Sequence, residues 1–148
     1  MVGTSDYDEQ VKRIRAYNAP IIASFRTWLQ QSSLSPKTIN NHVLNIEFFT
    51  EYLVYYEPLK QLDQTESHDV SLFLSDWFIR KAAWSSVTSV KSFLATFKKF
   101  FSWMGDTKRM PQETVDSIRM TLKEGTEDFV AAVKDYWNEI DNDADDDF

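Results

Sequence analysis

The sequence predicts an all-α protein, and three observations carry that reading. Apolar residues recur at spacings of three and four along most of the chain, and no segment alternates convincingly at period two. Gly and Pro are scarce, three and four in 148 residues, which suits long helices better than a turn-rich β protein. Ser and Thr stand where N-caps belong, just ahead of apolar stripes. At 43% hydrophobic and 15% aromatic, the chain has ample material for one packed core.

Residues 6–31 read as helical, with a break expected at Ala19-Pro20. Proline disfavours helical geometry in the residue before it and suits the first turn of a new helix. Ile21, Ile22, Phe25, Trp28 and Leu29 then form one stripe over residues 20–31. Ser35 is the expected N-cap of the second helix, with Pro36 at its first position. Its core face is Ile39, His42, Val43, Ile46, Phe49 and Leu53, and its end is expected near Tyr56, before Glu57-Pro58.

A connection through residues 58–69 leads to the stripe Val70, Phe73, Leu74, Trp77 and Phe78. Ser85 or Ser86 caps the next helix, whose core face is Val90, Leu94, Phe97, Phe100, Phe101 and Met104, with Gly105 as the expected stop. Pro111 opens a helix to about Glu124, with Val115, Ile118 and Leu122 on one side. Gly125 is expected to interrupt it, and Thr126 to cap a last helix bearing Phe129, Val130, Val133, Tyr136, Trp137 and Ile140. The ending DNDADDDF is expected to be disordered.

One helix is written twice. At a constant offset of 51, Ser35 pairs with Ser86, Thr38 with Ser89, Ile39 with Val90, Ile46 with Phe97 and Phe49 with Phe100. Tyr52 and Leu53 pair with Trp103 and Met104. A shorter helix precedes each copy, so the unit is a helical hairpin used twice. One hairpin cannot bury its own apolar face, and two together make a minimal four-helix core. Capping and core periodicity account for much of the match by themselves.

These residues carry a family resemblance. SPKTI, followed by a helix with FFxxYL, resembles the N-terminal core-binding (SAM-like) domain of tyrosine recombinases, the phage-integrase class. FRTWLQQSSLSPKTI is similar to the opening of that domain, and SVTSVKSFLATFKKFFSWM to its closing helix. The similarity spans roughly residues 20–104. It implies a four-helix SAM-like core of two helical hairpins, here with C-terminal helices and a disordered acidic tail. The organisation expected is residues 1–19 as an N-terminal helical extension, 20–105 as the core-binding domain, 106–140 as a C-terminal helical extension and 141–148 as the acidic tail.

In that family the domain clamps one side of a DNA duplex, and a separate C-terminal domain supplies a nucleophilic Tyr with Arg, Lys and His around the scissile phosphate. Here neither His42-Val-Leu-Asn nor His68-Asp-Val-Ser gives the family's His-x-x-Arg, and only about 44 residues follow Met104. The chain is therefore expected not to cut or join DNA by itself. Carried over from the resemblance, the DNA-facing positions are Lys37, Asn40 and Asn41 in the first long helix and Thr88, Lys91 and Ser92 in the second. Lys98 and Lys99 add phosphate contacts further along. Lys drives counterion release, and Asn pairs bidentately with adenine. Family members commonly carry more Arg and Lys in these turns, and Asn40 and Asn41 also fit as plain solvated residues. His42 stands where the family often has Tyr and reads as a partly buried, hydrogen-bonded histidine. Two further basic pairs, Arg80-Lys81 and Lys108-Arg109, meet if the hairpins pack antiparallel, and Lys12, Arg13 and Arg15 form a third cluster.

The net charge of −7 hides a split. Residues 124–148 hold ten acidic residues and one basic, a net of −9, while residues 1–123 hold 15 basic and 13 acidic, a net of +2. The expected function is a non-catalytic module for double-stranded DNA, an accessory or remnant of recombination, with a recombinase subunit as a possible protein partner. The alternative is a protein–protein interaction module on the same scaffold, with DNA binding lost. Joining the two, the acidic tail lies across the basic faces as a DNA mimic.

No disulfide framework or thiolate metal site is possible without Cys, and no apolar run is long enough to span a membrane. A cytoplasmic protein without cofactor or metal is the expectation. Asp141, Asp143 and Asp145 have the spacing that begins an EF-hand loop, but Asp146 stands where that loop needs Gly. Glu47 and Glu51 read as surface charge, and Phe48 and Phe101 as candidates to pack against the C-terminal helices or a partner.

Overall fold

The computed structural model describes the backbone of residues 4–146 and the side chains of residues 6–142. In chain order the elements are α1 (Thr4–Gln30), α2 (Pro36–Leu53), a single 3₁₀ turn (Leu62–Gln64), α3 (Ser67–Leu72), a π-helical turn (Phe73–Trp77), α4 (Phe78–Lys81), α5 (Val87–Asp106) and α6 (Gln112–Asp146). No strand occurs among the described residues. The protein is all-α, built on two helical hairpins, α1–α2 and the α3–α4 segment with α5, over which α6 is laid.

α1 does not break at Pro20. The missing N–H falls where Ala16 and Pro20 are both exposed, so water can take up the freed carbonyl. Tertiary contacts hold the helix on both sides of the proline. Before it, the Tyr7 hydroxyl donates to the Val54 carbonyl at 2.6 Å, Arg15 reaches Glu51 at 3.3 Å and Asn18 accepts from the Leu62 N–H at 3.0 Å. After it, Phe25 and Leu29 are buried. Local propensity loses to these contacts.

The two long-helix starts match their sequence signals. Ser35 Oγ accepts from the Thr38 N–H at 3.2 Å, with Pro36 in the first turn of α2. Ser86 Oγ accepts from the Ser89 N–H at 3.1 Å, and Ser89 Oγ accepts from the Ser86 N–H at 2.8 Å, a reciprocal box. α2 ends at Leu53 rather than near Tyr56, and the chain then turns at a cis Glu57–Pro58 peptide.

α5 runs past Gly105 to Asp106, and the left-handed stop falls on Lys108, at φ 62°. The Arg109 N–H reaches the Met104 carbonyl at 2.8 Å and the Lys108 N–H the Gly105 carbonyl at 3.1 Å, the two bonds of a Schellman ending. Gly105 serves instead as a contact point. A Cβ there would lie 3.1 Å from Val115 Cγ2, where α6 begins its pass over α5.

Gly125 does not interrupt α6 either. A Cβ at that position would lie 2.7 Å from the Phe129 ring, so the glycine makes room for a side chain one turn later. Because helical side chains lean toward the N-terminus, Phe129 folds back over residue 125. α6 continues to Asp146, into the stretch expected to be irregular. Residues 147 and 148, and the side chains of Asp143 and Asp145, lie outside the described residues.

The core is aromatic. Phe73 sits 5.1 Å from Phe49, 5.1 Å from Phe93 and 5.8 Å from Phe97, measured between ring centroids. The π turn, with its five-residue repeat, brings Phe78 over Phe73 as a stacked pair 5.6 Å apart. Phe48 and Phe101 do not wait for the C-terminal helix. Phe48 lies among Phe73, Trp77, Phe78, Trp84 and Phe93 of the second hairpin, and Phe101 is fully buried against Phe49, Phe97 and Phe100. α6 closes the remaining face with Val115, Ile118, Leu122, Phe129 and Val133.

Candidate functional site

α2 and α5 cross antiparallel, and a polar knot marks the crossing. His42 Nδ1 lies 2.7 Å from Thr96 Oγ1, and Asn45 Nδ2 donates to Thr96 Oγ1 at 2.9 Å and to Ser92 Oγ at 3.0 Å. His42 is buried, and burial first, then the nearby Lys99 charge, push its pKa below the ordinary 6.5. The imidazole is therefore held neutral and structural. Asn45 was not singled out from the sequence, although the offset of 51 pairs it with Thr96, the residue it touches.

The capped starts of α2 and α5 lie at opposite ends of the pair, so Lys37, Asn40 and Asn41 do not share an end with Thr88. Lys37 and Asn41 are exposed at the end where α5 finishes, and Lys99 stands on their side of the crossing, beside His42. Asn40 Oδ1 accepts from Arg26 Nη1 at 2.7 Å, which turns its carbonyl toward α1. Ser92 is committed to Asn45.

Lys91 and Lys98 lie on another side of α5, along a groove shared with α6. Across that groove α6 contributes Arg119 and Lys123. Neither α6 residue was singled out, because only the tertiary packing places α6 beside α5. From Val87 to Gly105, α5 carries Lys91, Lys98 and Lys99 and no carboxylate. Among the described residues, neither these three lysines nor Lys37 form a salt bridge.

The other basic pairs stay apart. Arg80 is held by Asp76 at 2.9 and 3.0 Å, and Lys81 by the Tyr55 hydroxyl at 2.8 Å, near the end of α2. Lys108 and Arg109 sit past the end of α5, with the Arg109 guanidinium 4.4 Å from the Trp103 ring centre. α1 meets Val54 at Tyr7 and Trp103 at Phe25, roughly 27 Å apart along its axis, so the two pairs do not converge. Arg15 is taken up by Glu51, while Lys12 and Arg13 are exposed.

A separate pocket lies beyond the end of α2, lined by Tyr52, Tyr56, Lys60, Asp69 and Trp77 among others. Its polar centre is an ion pair, Lys60 Nζ to Asp69 Oδ2 at 2.7 Å, with Glu66 at 3.0 Å. Burial and the neighbouring Asp69 push the Tyr52 phenol up to about 12, so it stays protonated. Among the described residues no cluster of His and carboxylates is arranged to hold a metal ion, and no helix is long and apolar enough to cross a membrane.

A family model described as phage integrase, N-terminal SAM-like domain, matches residues 22–108, more than half of the chain. No curated protein and no solved structure matches it.

Proposed function

The chain belongs to the phage integrase N-terminal SAM-like domain family, and from that premise we propose that it is a non-catalytic DNA-binding module that holds duplex DNA without cutting it. The observation that carries this reading is the unneutralised lysine set of α5: Lys91, Lys98 and Lys99 on a helix without a carboxylate up to Gly105. Each lysine that meets a phosphate releases counterions, which dominates affinity for duplex DNA. Lys37, Asn41 and Lys99 form one contact group at the α2–α5 crossing, and Lys91 and Lys98 a second beside α6. Asn40, Ser92 and Thr88 contribute less, the first two through their internal bonds and the last through its place at the far end of α5.

The test is fluorescence anisotropy of a labelled duplex across a salt series. Binding is expected to weaken with salt, and replacing Lys91, Lys98 and Lys99 together by Ala should flatten the log–log slope by up to about 2.7. The duplex should be recovered intact, with no protein–DNA bond. Absence of binding at about 50 mM salt overturns the reading. It would leave the protein-interaction alternative, which the exposed Tyr55, Tyr56 and Leu72 around the α2 end favour.

A further inference from the structure

The α5–α6 groove has basic lips and an apolar floor. Lys91 and Lys98 stand on one side, Arg119 and Lys123 on the other, and Leu94 and Met120 lie between them. Met120, at the mouth of the groove, is 60% exposed. Asp116 and Glu124 also line the groove, yet none of its four cations forms a salt bridge among the described residues. Such a groove suits a helix that is apolar along one stripe and acidic beside it.

The chain carries a segment of that kind at its own end. From Asp135 onward there are seven acidic residues and no basic one. Tyr136 and Trp137 pack against the core of their own copy, and Ile140, 38% exposed, is the apolar side chain left to a partner. Trp137 Nε1 donates to the Ser85 carbonyl at 2.9 Å, which pins this part of α6 beside the start of α5. The helix then continues past the body. α6 is unbroken and antiparallel to α5, so Ile140 lies roughly 27 Å further along the axis than Leu122, at about 1.5 Å per residue. Held in the helix, residues 138–142 are exposed and stand away from the lysines of their own copy, while the side chains of the tail beyond, expected to lie across those lysines, fall outside the described residues. A second copy can receive this stretch.

We propose that the acidic end of α6 seats in the α5–α6 groove of a second copy of this chain. The two α6 helices run antiparallel, so each copy gives its end and receives the other's, and the contact closes as a two-fold dimer. With the groove centred near Leu122 and the arm near Ile140, the axis passes close to Ala131, which is exposed. Docking covers Met120 and neutralises Lys91 and Lys98, and so competes with duplex DNA for those two lysines. It requires no DNA.

Sedimentation of the full chain tests the proposal. A dimer is expected at low ionic strength, reverting to monomer in about 0.5 M salt as the charges are screened. Arg119→Glu with Lys123→Glu, and separately removal of residues 141–148, should each leave a monomer whose helical circular dichroism is unchanged. Because the chain has no cysteine, Ala131→Cys should give a disulfide-linked dimer on mild oxidation, whereas Ser75→Cys, exposed elsewhere, should not.

A monomer at low salt at every concentration overturns the proposal, as does a dimer indifferent to both the charge reversal and the truncation. If the chain stays monomeric and the Arg119 and Lys123 reversals abolish duplex binding, the groove is a DNA track and the docking reading falls alone. A salt-sensitive dimer without DNA affinity would instead remove the DNA-binding reading and keep this one.

Discussion

Asn45 Nδ2 donates to Thr96 Oγ1 at 2.9 Å, and these two residues hold equivalent places in the 51-residue repeat. The two hairpins thus meet at corresponding points. His42 and Ser92 complete the knot, with His42 and Thr96 buried and Asn45 and Ser92 half-buried. A buried polar cluster of this kind selects one register, because any slip of α2 on α5 leaves donors and acceptors unpaired in a low dielectric.

His42 makes the knot sensitive to pH. Its folded pKa lies below 6.5, so below that pH the unfolded chain takes up the proton first and binds more protons than the folded one. Stability is therefore complete above 6.5 and falls as the pH drops toward the folded pKa. Urea unfolding as a function of pH should show a flatter acid limb for His42→Gln than for the wild type. Identical limbs would place the acid sensitivity elsewhere.

The Lys60–Asp69 pair anchors the connection between the hairpins, with side chains 16% and 8% exposed. Burial works against the Lys60 charge, but its hydrogen bonds to Asp69 and Glu66 prevail and hold its pKa above the ordinary value. Lys60→Met leaves Asp69 with the Glu66 N–H and the edge of His68. The expected loss is about 3 kcal/mol in denaturant unfolding. A loss below about 1 kcal/mol would show that solvent already screens the pair.

Gly125→Ala sets helix propensity against packing. Alanine gains about 1 kcal/mol in a helix interior, but its methyl would press on the buried Phe129 ring at 2.7 and 2.8 Å. Overpacking of this kind typically costs 1–3 kcal/mol, so the net expectation is a destabilisation of about 1 kcal/mol. Combining it with Phe129→Leu should cost less than the sum of the two single changes. Additivity would mean that the ring moves aside freely.

Lys108→Gly should act in the opposite direction. Lysine at φ 62° is strained by its Cβ, and glycine is not. A gain of about 0.5–1 kcal/mol is expected after allowing for glycine's greater unfolded-state freedom, read as a higher thermal midpoint. A lower midpoint would mean that the lysine stem contributes packing that outweighs the backbone strain.

The sequence by itself determined the helical class, the two capped long helices with their core faces, and the doubled hairpin. Ser35, Ser86 and the apolar spacings act within a few residues of themselves, so a linear reading reaches them. It misjudged Pro20, Gly105 and Gly125 for one reason. Local propensity is worth about 1–3 kcal/mol at such a residue, and contacts from distant elements overrule it. Tyr7 on Val54 does so for α1, Val115 on Gly105 for the end of α5, and Phe129 on Gly125 for α6. The site divides in the same way. Lys37 and Lys91 were carried over from the family resemblance, and Lys98 and Lys99 added as lysines further along α5. Only the antiparallel crossing of α2 and α5 decided that the two capped starts lie apart, and only the unbroken α6 brought Arg119 and Lys123 to the groove while carrying the acidic end away from it. Which side chains share a face depends on how helices cross, and crossing is set by the fit of whole surfaces rather than by any residue's neighbours in the chain.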